Sequence, residues 1–122
     1  MAAPNLVNVT SILGKSMGAA LGTNTDTTIL TCASDKVLKI NSIIVANVDG
    51  TNSADLTVKF YDNSATTSYR IANTVSVPAD STLVVVGKDS PIYLEESDEI
   101  RGGANNSSDL EIVISYEELD DA

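Results

Sequence analysis

A strict two-residue alternation of apolar and polar side chains restricts the fold of this chain more than any other feature. In residues 54–61, Leu56, Val58 and Phe60 share one side, while Asp55, Thr57, Lys59 and Tyr61 share the other. Residues 109–116 repeat the pattern, with Leu110, Ile112, Ile114 and Tyr116 alternating with Asp109, Glu111, Val113 and Ser115. Successive side chains of a strand point to opposite faces, so a period of two marks a half-buried β-strand. Shorter runs of strand character lie at 5–13, 27–32, 69–77, 82–87, 91–94 and 98–102. The Ile- and Val-rich segment 36–48 holds too few helix formers to wind.

Turn chemistry separates these runs. Asp49-Gly50 supplies a residue tolerant of positive φ, and Asp62-Asn63-Ser64 offers side-chain bonds to the backbone. Pro78 presets φ for the first corner of a turn, and GKDSP (87–91) and GGANNSSD (102–109) are further loops. Strands recurring at short intervals without a helical pattern predict an all-β chain: an antiparallel β-sandwich, jelly-roll-like, with an extended N-terminal segment. Only SMGAALG (16–22) departs, reading as a flexible connector or one short helical turn. The expected division is an N-terminal arm and connector over 1–22, the sandwich over 23–119 and an acidic tail over 120–122.

Two segments are apolar on both sides. In 43–48, Ile43 and Val45 face one way and Ile44, Ala46 and Val48 the other; Leu83–Val86 behaves similarly. A sheet with one wet face alternates, so the second face is expected to be covered. The cover is either segment 5–13 folding back or a neighbouring subunit.

A chain of 122 residues fits one domain, and at that size folding hides roughly two-thirds of the unfolded surface. The 43% hydrophobic and 20% charged fractions are those of a globular protein. A single cysteine, Cys32, excludes an intrachain disulfide framework and fits cytoplasmic assembly. Between Thr31 and Ala33 it reads as a small buried hydrophobe. The net charge of −10, seventeen acids against seven bases, argues against nucleic acid and against an anionic membrane surface. It suits solubility or a basic protein partner. The opening MAAPNLVNVT has no basic n-region, so no secretory export is expected and the sequons at Asn8, Asn105 and Asn106 carry no weight. No apolar run approaches the roughly 20 residues of a membrane span.

Candidate chemistry is sparse. In DGTNSAD, Asp49, Asn52 and Asp55 offer oxygens to a hard cation, but the spacing is not that of an EF-hand and no bidentate glutamate follows. We read a hairpin loop and no metal site. Glu95, Glu96, Asp98 and Glu99 are expected to diverge into water as a solvated loop, and EELDDA (117–122) to form a solvated tail. With no histidine, every Ser-His and Cys-His arrangement is missing, and GKSMGAALG lacks P-loop spacing. Neither an enzyme nor a cofactor is expected. A carbohydrate-binding module is the alternative from another class. Its stacking platform would have to come from Tyr61, Tyr69 and Tyr93, and no tryptophan is present.

Three stretches carry a family resemblance: KINSIIVANVDGTNSADLTVKFYD (39–62), ANTVSVPADSTLVVV (72–86) and PIYLEESDEIRGGANNSSDLEIVISYEEL (91–119). Their order resembles small all-β virion proteins of tailed bacteriophages, particularly phages of marine bacteria and cyanobacteria, over roughly residues 36–119. The family's pattern has a glycine before the aspartate of the acidic turn; here that position is Ser97. The resemblance implies a non-enzymatic structural protein of the virion, assembled in the bacterial cytoplasm. Its implied role is capsid decoration or cement on the outside of the major capsid lattice, as a homotrimer. A neck or tail adaptor is the alternative, and the implied partner is the major capsid protein or another virion protein. On that reading the arm Met1–Leu13, through Leu6, Val7, Val9, Ile12 and Leu13, adds a strand to a partner's sheet edge, or else is simply the sandwich's first strand. Ile43 and Val45, on the two-sided strand, complete the expected partner surface.

Overall fold

The computed structural model describes residues 11–120, which form nine strands and no helix. In chain order these are β1 (Ser11–Ala20), β2 (Thr28–Thr31), β3 (Lys36–Asn47), β4 (Ala54–Asp62), β5 (Thr67–Val77), β6 (Thr82–Val86), β7 (Ile92–Leu94), β8 (Glu99–Ala104) and β9 (Leu110–Asp120). One sheet runs β1-β9-β3-β6, with β7 sharing the outer side of β3; the other runs β2-β8-β4-β5. All pairings are antiparallel. Taking β6 and β7 as one interrupted strand, this is the strand order of a jelly roll, so the expected β-sandwich is what forms.

Alternation builds the core between the sheets. Leu110, Ile112 and Ile114 of β9 and Leu56 and Val58 of β4 are buried; Ile112 and Ile114 lie opposite Val45 and Ile43, Leu56 opposite Ala104, and Leu110 opposite Asn47. Leu38, Ile40, Ile43 and Val45 join them from β3. Burial of each such side chain contributes about 1.5–3 kcal/mol. The buried Asn47 ends this row and is satisfied: its Nδ2 donates to the carbonyls of Asn52 (3.0 Å) and Val77 (2.9 Å), and its Oδ1 accepts from Asp49 N (2.9 Å).

Close backbone approach explains two glycines. A Cβ on Gly103 would lie 2.7 Å from the carbonyl oxygen of Asn24, and one on Gly102 2.9 Å from that of Thr57. Only glycine lets the 22–27 loop and β4 pass so near β8.

Several sequence expectations need correction. Residues 16–22 are neither a connector nor a helical turn: 16–20 complete β1, and Leu21 is buried in the core. Glycine, serine and alanine give no periodic signal, and pairing with β9 decides their conformation. The supposed acidic tail is likewise strand as far as Asp120. There, Lys36 Nζ meets Asp120 Oδ2 (2.5 Å) and Lys15 Nζ meets Glu118 Oε1 (3.2 Å).

Candidate functional site

The acidic turn after β7 is knitted into the fold instead of diverging into water. Asp98, buried, accepts from Asn63 N (2.9 Å) and Glu95 N (3.0 Å), closing the turn with its carboxylate. Glu96 Oε2 accepts from Asp35 N (2.7 Å). Glu99 accepts from Thr28 Oγ1 (2.6 Å) and from Arg101 Nε (2.8 Å), and the hydrogen bond from Arg101 holds its carboxyl below the usual carboxylate range. Arg101 also lies flat over Tyr61, 3.8 Å from the ring centroid. Beside it, Lys59, a buried residue, bonds to Asp26 Oδ1 at 2.6 Å and keeps that carboxyl ionised to lower pH than usual. On this outer face of the β2-β8-β4-β5 sheet, Lys59 and Arg101 are both engaged by acidic partners.

DGTNSAD is a self-bonded loop leading into β4. Asp49 Oδ1 accepts from Thr51 N (2.8 Å) and Asn52 N (3.4 Å), and the Thr51 bond is the chief reason its pKa is lowered. The Asn52 carbonyl takes the amide of Asn47, and Asp55 already belongs to β4. Among the described residues no three His, Cys, Asp or Glu side chains gather as metal ligands.

The outer face of the β1-β9-β3-β6 sheet is different. The register aligns Gly18, Val113, Ile44 and Val84 in one row across all four strands. Val113 and Val84 are 40% and 60% exposed, and Ile44 is half-buried. Flanking rows are Ser16, Ser115 and Ser42 on one side, and Ala20, Glu111, Ala46 and Thr82 on the other. Tyr93, 44% exposed, stands opposite Lys39 farther along. Small side chains thus frame an apolar stripe and leave it accessible to a flat partner.

Of the residues expected to bind a partner, Ile12 and Leu13 are exposed on β1. Leu6, Val7 and Val9 lie outside the described residues. Ile43 and Val45 are fully buried, so the expected contact through them is corrected: the outer face of β3 is Ile44 and Ala46. The register slips between Ile40 and Ser42, inserting Asn41 and turning the strand's second half over. Val113 was legible as an apolar residue on a polar side, between Glu111 and Ser115. The Ile44–Val84 pairing was not, because it joins distant segments. No protein-family model matches this sequence, and no curated protein matches it.

Proposed function

We propose that the chain is a non-enzymatic structural protein of a tailed-phage virion, decorating the outside of the major capsid lattice. The observation that carries this reading is the accessible Val113–Ile44–Val84 stripe on the sheet face, framed mostly by small residues. A broad sheet face of this kind suits docking on another protein, and Glu111 and Glu117 at its margins favour a partner with basic groups. The jelly-roll order is compatible, although the same fold hosts both viral capsid proteins and lectins, so it does not choose between them.

The carbohydrate-binding alternative is disfavoured by the aromatic placement. Tyr61 lies under Arg101, while Tyr69 and Tyr93 belong to different sheets and form no shared platform. Quantitative mass spectrometry of purified virions of the phage encoding this chain tests the proposal. Copies sufficient to tile the shell are expected. A single ring's worth would move the role to a neck or tail adaptor, and absence from the particle would contradict the reading.

A further inference from the structure

We propose that β1 pairs antiparallel with β1 of a second copy, in the two-fold register that sets Ser16 against Ser16, joining two five-stranded sheets into one. The inference stands on the edge geometry and does not rest on the virion reading.

Exposed strand edges are blunted in natural proteins by bulges, shortness, charge or proline. The other edges here carry such devices. β5 slips register twice against β4, holds Thr74 in the left-handed region and exposes Arg70. β2 has four residues and β6 five, and both are bulged. β1 has ten residues, no proline and an unbroken register with β9, and its single charge, Lys15, is held by Glu118.

The direction of its free backbone groups follows from the next residue. Leu21 N donates to Leu110 O (2.9 Å), so along the unbroken register the odd-numbered residues bond toward β9. Ile12, Gly14, Ser16, Gly18 and Ala20 therefore turn their N–H and C=O groups to the open side. Among the described residues no strand pairs there.

A second copy fits this edge because the strand complements itself. About the Ser16 axis, Gly14 meets Gly18 of the other copy, Ile12 meets Ala20, Leu13 meets Ala19 and Lys15 meets Met17. Ile12 and Leu13 face alanines, Lys15 faces the uncharged Met17, and no like charges oppose. Sliding by two residues toward the N-terminus would place Lys15 on Lys15, which is unfavourable. A shallow hollow of about 290 Å³ lies where β1 meets β9, lined by Gly18, Ala19, Ala20, Glu111, Ile112 and Val113. The same register brings the exposed Ile12 of the other copy opposite Ala20, at the mouth of that hollow. In this dimer both outer faces lie on one side, so the apolar stripe is doubled.

Sedimentation equilibrium of the purified full chain tests the pairing, together with three Ser16 variants. A dimer is expected, retained in Ser16→Ala, which like Ser16→Pro loses the hydroxyl contact with Ser115 (3.1 Å), and lost in Ser16→Pro, which also removes an edge donor while sparing the backbone bonds to β9. Ser16→Cys should form a covalent dimer with a short thiol-to-thiol bifunctional reagent, since hydrogen-bonded partners sit about 5.5 Å apart at Cα. The native chain, its only thiol buried, should form none. A monomeric or trimeric native chain would overturn the proposal, the trimer being what the family resemblance implies. So would a dimer that Ser16→Pro leaves intact. Should Ser16→Pro fail to fold, the absence of the Ser16→Cys cross-link would overturn it alone.

Discussion

At Ser97 the backbone takes φ 71°, the left-handed region that favours glycine. The residue is third in a turn closed by Asp98 N donating to Glu95 O at 3.0 Å, where type II geometry asks for a positive φ. The pattern that the sequence resembles has a glycine at this position, which is what singled Ser97 out. The tolerance of positive φ that Asp49-Gly50 offers is not used: among the described residues no glycine takes a positive φ, whereas Asp80 and Ser108 do. Ser97→Gly should therefore raise stability by about 1 kcal/mol, read as a higher denaturant midpoint. Cys32, expected to be buried, is 1% exposed, and burial is the main cause that pushes its thiol up to about 11 from 9.0. A raised folded pKa favours the protonated native state. Its contribution is fully present below pH 9 and is lost as pH rises toward 11, on the order of 2 kcal/mol. Unfolding titrations across that window should show the native chain losing more stability than Cys32→Ala, which lacks the titrating group.

Strands with strong alternation, β4 and β9, were legible from their pattern; in β9 one face alone is buried, whereas in β4 Thr57 and Lys59 on the polar side are buried as well. β1 was not, since its Gly, Ser and Ala residues declare no face until β9 lies beside them. β3 was legible as a strand but not in its facing. Continuing the alternation from Leu38 and Ile40 puts Ile43 and Val45 on the wet side, and the bulge at Asn41 reverses this. A paired substitution measures the reversal. Ile43→Ala, at a fully buried site, should cost about 2–5 kcal/mol in unfolding free energy, and Val84→Ala, 60% exposed, within about 0.5 kcal/mol. A loss at Ile43 as small as that at Val84 would mean that β3 faces the other way.

For the whole molecule, fold class followed from local pattern, whereas strand order did not. β1 pairs with β9 across nearly the entire chain, Ser11 opposite Asp120, and no local periodicity encodes that closure. The resulting sandwich has two dissimilar faces. One is a lattice of paired charges around Lys59 and Arg101, and the other an apolar stripe bordered by β1, whose outer edge pairs with no strand among the described residues. With a net charge of −10, contact between protein surfaces is favoured where charge is sparse. That region is the outer face of the β1-β9-β3-β6 sheet. Side-chain footprinting of the protein, free and bound to the capsid, tests this most directly. Val84, Val113 and Tyr93 should lose labelling on binding while Tyr69, on the opposite sheet, keeps it. Protection of Tyr69 with Val84 and Val113 unchanged would contradict the account.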